Sequence, residues 1–437
     1  MIKLEGCENL KTVYSKKITN ERWIHILPPC IIIYIVAFID RTNIGLAIAG
    51  GMDKTLAINS SVAGLAAGIF SIGYLILQVP GGNIAEHGSA KKFIALSIVM
   101  WSVLSIVNGF VNNSFELLVV RFLLGVAEGG VYPAILVLIT HWFPDEERGR
   151  ATGWFNMNYP IANIIASPIS GWIMSIYSWR WVFIIEGILS FALLFIWYPL
   201  INNYPSDAKW IKKDELDWLE NKLSNEKSQV ERNISIQKTS NNIFTSTNLW
   251  LLVITYFCYM TGIFGYYLWL PTLIKDLTHT GIAVVGLLSI IPYIGSAMGI
   301  WFFSRLSDRT LKRKLYAVIP MVGLAASLSL SVVFKFNMWL SYIFLVFGGV
   351  FVQSYNSSFW AIPPMIFKAD VAGAARGIIN GMGNLGAFLG PYLLGLIMTY
   401  MKSADVGMYI LAVILLIGCF FNSIVKLPKK ERVVESS

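Results

Sequence analysis

Glu128 and Arg121 are ionisable residues seven positions apart inside one apolar run, Glu116-Leu-Leu-Val-Val-Arg121-Phe-Leu-Leu-Gly125-Val-Ala-Glu128. Asp40 and Arg41 are neighbours inside another, which begins near Ile26. Charges set this deep in apolar sequence are costly to keep from water, and they mark paths for protons, ions or charged substrates. A guanidinium keeps its charge at any working pH and offers a carboxylate two parallel hydrogen bonds. Arg41 is therefore the candidate for gripping an anion, against the plainer role of neutralising an acid beside its own helix. A buried carboxyl is pulled two ways: burial favours the neutral form and a nearby arginine the ionised one. An anion that occupied Arg41 would loosen the arginine's hold on its acid, which would then take up a proton. Glu128 is the first candidate for such proton coupling and Asp40 the second. The alternative for Glu128 is a structural pair with Arg121 on one helical face, and for Arg121 simple packing. Adjacent helical residues do not face each other, so Asp40 and Arg41 need separate partners, which implies a network across two helices.

The elements that must position these groups are membrane helices. The 437-residue chain is 56% hydrophobic and 14% charged, with a mean hydropathy of +0.62. That balance belongs to a polytopic membrane protein. Twelve apolar segments lie near 27–50, 60–84, 93–113, 117–141, 151–175, 180–200, 249–273, 281–303, 315–334, 340–366, 376–399 and 406–425. Each can cross a hydrocarbon core of about 30 Å as a helix. At about 1.5 Å per residue, Asp40 lies about 18 Å from one face and Glu128 about 18 Å from the other. Both fall near mid-membrane, where secondary transporters hold substrate and coupling ions.

Lys and Arg number 34. With twelve spans, 27 of them fall on the side that carries both termini, 5 on the other, and Arg41 and Arg121 within spans. This asymmetry places both termini in the cytoplasm. It also accounts for the basic balance as topology and as attraction to anionic headgroups, with no nucleic acid required. The first apolar segment is too long for a signal-peptide core and reads as a retained span. Four cysteines show no paired spacing, so neither a disulfide framework nor a zinc site is implied. No cofactor is expected.

The expected organisation is a cytoplasmic tail over 1–22, a six-helix bundle over 23–200, a cytoplasmic connector over 201–248, a second six-helix bundle over 249–426, and a tail over 427–437. Leu216, Leu219 and Leu223 recur at helical spacing in the connector and predict a short amphipathic helix, with a solvated linker over Ser224 to Asn242. The halves repeat a signal. Glu86 precedes Lys91 and Lys92 by five and six residues after the second segment; Asp308 precedes Arg313 and Lys314 identically after the eighth. A duplicated six-helix unit is how one large transporter fold is built.

These turns resemble the cytoplasmic signature of the major facilitator superfamily. Arg121-x-x-x-Gly125-x-x-x-Gly129 is similar to its span-4 motif. Asp40-Arg41-Thr-Asn43, Glu128-Gly-x-x-Tyr132-Pro133, Trp142-Phe-Pro144 with Glu147-Arg148, and Gly383-Asn384-Leu-Gly386 with Gly390-Pro391 resemble the anion:cation symporter family within it. The resemblance covers about 23 to 426 and implies an all-α membrane protein of twelve helices in two pseudo-symmetric bundles. Members carry sugar acids, tartrate, aromatic acids and, in animals, sialic acid and phosphate. It implies anion binding at Arg41 with a contribution from Arg121, and proton coupling at Asp40 and Glu128. It implies a cavity bracketed by the fourth, fifth, tenth and eleventh spans, and among polar residues inside spans it favours Tyr74, Ser357, Trp360 and Asn380. Asn158 and Asn384 are further candidates by residue type, with interhelical hydrogen bonding as the alternative for each. Glu86, Lys91, Asp308 and Arg309 would close the cytoplasmic side in the outward-open state. Gly125–Gly129, Gly377–Gly381 and Gly386–Gly390 would let helices approach closely.

The chain is thus expected to be a proton-coupled importer of a small organic anion, monomeric, in the cell membrane. Facilitated diffusion, export and sodium coupling are alternatives, and a non-transporting sensor a remote one. An enzyme is not expected, because neither a His-Glu-x-x-His nor a Gly-x-Ser-x-Gly motif occurs.

Overall fold

A computed structural model describes residues 20–236, 243–367 and 369–427. The expected tails over 1–22 and 427–437 lie almost wholly outside the described residues. Ten helices among those described are long and apolar enough to cross a membrane. They are α1 (Glu21–Thr55), α2 (Ser60–His87), α3 (Ala90–Asn108), α4 (Ser114–Trp142) and α6 (Trp179–Leu200), then α7 (Thr247–Thr278), α8 (Ile282–Thr310), α9 (Arg313–Val333), α11 (Gly373–Met401) and α12 (Ala404–Ile424). The remaining two segments form α5 (Asn158–Ile176) and α10 (Met338–Val352).

Those two differ from an ordinary span for visible reasons. α5 is diluted by Asn158, Asn163, Ser167 and Ser170, all buried against other helices. The segment expected as one helix over 340–366 instead breaks after Val352 into a turn and two short helices, Tyr355–Phe359 and Pro363–Ile366. Pro363 and Pro364 have no N–H to continue a helix. Gln353 satisfies itself locally, accepting from Asn356 at 2.6 Å and donating to the Tyr267 hydroxyl at 3.0 Å. In lipid such irregular backbone survives only where protein or a water-filled cavity surrounds it.

The connector helix runs over Lys213–Ile236, so the stretch after Ser224 continues as helix; 237–242 lie outside the described residues. Its sequence is rich in Glu, Lys and Leu and has neither Gly nor Pro to stop it. Its first half packs on the N-terminal half: Leu219 is fully buried, and Glu215 accepts from Arg22 at 2.5 Å. Arg22 also bonds Glu147, at 2.7 Å, so the connector, the start of α1 and the helix Asp145–Asn156 share one buried ion cluster.

Close helix approach depends on glycine. A Cβ at Gly125 or Gly129 would press into the carbonyls of Phe70 and Tyr74 on α2, and one at Gly386 or Gly390 into those of Phe257 and Thr261 on α7. Gly377 and Gly381 depart from the expected packing role, because space for a Cβ is open at both. The reason is the state of the molecule. At the end away from the termini the halves are joined: Ser61 N–H donates to Thr399 Oγ1 at 2.9 Å, Lys275 Nζ reaches the Ala49 carbonyl, and Gly171 packs on Gly286. At the end carrying the termini, Gly149, Gly153, Gly373, Gly377 and Gly381 face open space. The fold is captured open toward the side of its termini.

Candidate functional site

Helical rotation splits Asp40 and Arg41 onto different faces of α1. Asp40 turns into the N-terminal half, where Ser105 Oγ of α3 donates to its Oδ1 at 2.9 Å. Arg41 turns to the seam between the halves. It lines a cavity there with Thr42, Phe70, Tyr267, Leu268 and Pro391. Arg41 is 12% exposed, while Asp40 is 0% and Arg121 and Glu128 are 1% each. Arg41 is thus the member of the quartet that reaches the cavity wall.

Its positioning is aromatic as much as ionic. The guanidinium carbon lies 4.2 Å from the Tyr74 ring centre and 5.0 Å from that of Phe70. Cation–π attraction holds the planar group in place and leaves its edge available to a carboxylate. Glu128 Oε2 is 3.6 Å from Arg41 Nη2. That distance makes an ion pair and is too long for a hydrogen bond. Both Glu128 oxygens are without hydrogen-bond partners, as is Arg41 Nε. Glu128 therefore pairs with Arg41, and the alternative pairing with Arg121 is not what forms.

Arg121 does something the sequence did not signal. It lies behind α1, donating from Nη1 to the Asp40 carbonyl at 3.3 Å and from Nη2 to the Arg41 carbonyl at 3.4 Å, with the Phe70 ring centre 5.0 Å away. It braces the backbone that carries both Asp40 and Arg41. It does not reach the opening in this conformation. The network implied across α1 and α4 thus also takes in α3.

The other candidates divide. Tyr74 shares a hydrogen bond with Tyr34 at 3.2 Å and supports Arg41 with its ring. Asn158 is fully buried and donates to the Phe155 carbonyl at 2.5 Å, a bond within its own chain turn. Asn380 donates to Gln78 at 3.3 Å, joining α11 to α2, and Asn384 donates to Asn380 Oδ1 at 3.1 Å. Trp360 is half-buried and stands edge-on to Tyr256, 5.0 Å between ring centres. The Ser357 side chain lies outside the described residues. Among the described residues, the buried charges of the spans all belong to the N-terminal half, while the C-terminal half brings aromatic rings and amides.

The sequence model of the Major Facilitator Superfamily matches residues 30–391 and 252–436. The chain belongs to the Major Facilitator Superfamily. Its relatives include a quinolone resistance transporter of Acinetobacter baumannii, 29% identical, covering 94% of this chain and 95% of the relative. A putative tartrate transporter of Agrobacterium vitis is 30% identical, with coverage of 91% and 89%. Among solved structures, the inward open conformation of the xylose transporter XylE from E. coli superposes with a TM-score of 0.74 at 13% identity, covering 94% of this chain and 98% of that one. The chain is therefore a multi-pass membrane transporter of the major facilitator fold, and not an enzyme.

In this superfamily member the four expected gate residues do not meet. Lys91 lies over the Tyr198 ring at 4.7 Å, Asp308 pairs with Arg313 at 2.5 Å, and Glu86 and Arg309 are exposed. Their separation accompanies the opening at that end. One buried acid escapes the sequence reading altogether: Glu186 on α6, 7% exposed. The signal that could have found it is the one that exposed Glu128, an acid inside an apolar run, Trp181-Val-Phe-Ile-Ile-Glu186-Gly-Ile.

Proposed function

We propose that the chain carries an organic carboxylate into the cell together with one or more protons, by alternating access between two six-helix bundles. The observation that carries this reading is Arg41: a guanidinium on a cavity wall, held by aromatic rings and only loosely paired with Glu128 at 3.6 Å. A substrate carboxylate competes for Arg41, and Glu128, freed of its counter-charge in an apolar setting, takes a proton. The neutral, loaded bundle can then close around its cargo. The aromatic and amide groups of the C-terminal half, Trp360, Asn380 and Asn384, would read the remainder of the substrate, and Ser357 belongs to the same polar string. On the charge asymmetry of the loops the open end would lie in the cytoplasm, which supports reading this as the inward-facing state, and the carrier would act as a monomer in the cell membrane. Glu86, Lys91, Asp308 and Arg309 would meet when that side closes. The name of the Agrobacterium relative, a putative tartrate transporter, favours a hydroxylated acid.

The name of the Acinetobacter relative favours a second reading, in which the same site exports an aromatic acid. Uptake in proteoliposomes separates the two. Sugar acids, dicarboxylates and aromatic acids are offered singly, with and without an inward proton gradient. The expected result is accumulation of one class that collapses with a protonophore and persists when choline replaces sodium. Uptake driven only by an outward-directed proton gradient would establish export by antiport, and dependence on sodium would displace the proton.

A further inference from the structure

Glu186 has no part in the mechanism above, and its surroundings are those of a working group. Ile185, Ile188 and Leu189 are exposed on the outer face of α6, whereas Glu186, Gly187 and Ser190 turn into the bundle. Glu186 Oε2 has no hydrogen-bond partner, and neither do Ser190 Oγ nor, nearby in the cluster, Asp40 Oδ2. The charged groups that face Glu186 are Asp40 from α1 and Arg121 from α4. From α3, which packs against α6, come Ser102 and Ser105; its lysines, Lys91 and Lys92, stand at the far end of the helix. α5 contributes no charged side chain, and Arg180 at the start of α6 is engaged by the carbonyls of Gly109 and Val111.

Three carboxyl groups (Asp40, Glu128 and Glu186) therefore share this buried region with two guanidinium groups (Arg41 and Arg121). With all five ionised the set carries an uncompensated negative charge. A buried, unbalanced charge is neutralised by a proton rather than left standing. The proton belongs to the carboxyl with the weakest partners. Glu128 has Arg41 at 3.6 Å, and Asp40 accepts from Ser105 at 2.9 Å with Arg121 bonded to its own backbone. Glu186 has no such bond or ion pair among the described residues.

We propose that Glu186 holds a resident proton that keeps the charge cluster of the N-terminal bundle neutral, and so acts as a positioning residue for the anion site. With the proton in place, the positive field of Arg121 is left to Asp40 and to the α1 backbone behind Arg41. Loss of the proton at alkaline pH adds a negative charge that draws on Arg121 and weakens anion binding at Arg41. This consequence for transport rests on the proposed anion site; the proton itself does not.

Infrared difference spectroscopy on the purified full chain in lipid, titrated without substrate, tests the proton alone. A carbonyl band of a protonated carboxyl is expected to persist through neutral pH and vanish on the alkaline side. Glu186→Gln should lack it and Glu128→Gln should keep it. Absence of the band from the native protein at neutral pH, or its survival in Glu186→Gln, overturns the proposal. Substrate counterflow supplies a second readout. In the Glu128→Gln background, where loading no longer takes up a proton at that position, KM should rise with pH along an alkaline limb approaching about tenfold per unit, and adding Glu186→Gln should flatten that limb. Superimposable pH profiles overturn the positioning role. If no carboxylate is carried at all, the anion reading fails while the infrared result still decides the proton.

Discussion

Arg41→Ala is expected to abolish uptake while the protein reaches the membrane in normal amount. In the loaded carrier, truncating the arginine of the buried Arg41–substrate carboxylate pair costs about 2–5 kcal/mol. At about 1.4 kcal/mol per factor of ten, apparent affinity falls by about 30-fold to several thousand-fold. Folding should survive, because Arg41 sits at the cavity wall and Glu128, once deprived of it, can be neutralised by a proton. Arg41→Lys should recover only part of the loss, since an ammonium keeps the charge but not the planar fork that matches a carboxylate. Counterflow with radiolabelled substrate, beside a monodispersity check in detergent, makes the comparison. Uptake by Arg41→Ala at native rate would remove Arg41 from the anion site.

Glu128→Gln mimics the protonated acid and should separate exchange from accumulation. With one proton per monoanion, a gradient of one pH unit, worth about 1.36 kcal/mol, supports about tenfold accumulation. In Glu128→Gln that ratio should fall to about one, because the site no longer changes protonation with loading. Exchange across equal concentrations should remain within a few-fold of native, because substrate no longer has to displace Glu128 from Arg41. Full concentrative uptake by this variant would move coupling elsewhere, with Asp40 next in line. Asp40 is the weaker candidate on geometry: it faces Ser105 inside the bundle, and the cavity wall belongs to its neighbour.

Much of this was legible from residue types. Long apolar runs fixed the helices, and the repeated acid-to-basic-pair spacing after Glu86 and Asp308 marked two related halves. Asp40, Arg41 and Glu128 announced themselves as charges where charges are expensive. The 100° rotation between adjacent helical residues, about a quarter turn, already required Asp40 and Arg41 to part company. Partner choice was not legible. Glu128 could reach Arg121 along its own helix or Arg41 across to α1, and no side-chain pattern in the sequence decides for Arg41, which is the partner the folded chain supplies. Arg121's service to the α1 backbone is invisible to any side-chain pattern. Glu186 was legible in kind but passed over, because its significance lies in facing Asp40 and Arg121 from another helix. The break after Val352 is written in the polar string that begins at Gln353, which hydropathy alone averages away, while Pro363-Pro364 mark the later interruption after Phe359. The open space at Gly377 and Gly381 reflects the conformation, which composition does not encode.

A carboxylate and a proton are expected to enter together. The most direct measurement follows luminal pH with a trapped dye while the transported acid is added outside proteoliposomes, at clamped membrane potential and at a pH where the acid is fully ionised. The lumen should acidify in step with uptake, and protein-free liposomes and Arg41→Ala liposomes should show neither signal. Entry of the acid with luminal pH unchanged would rule out proton symport and leave Glu128 as a structural partner of Arg41.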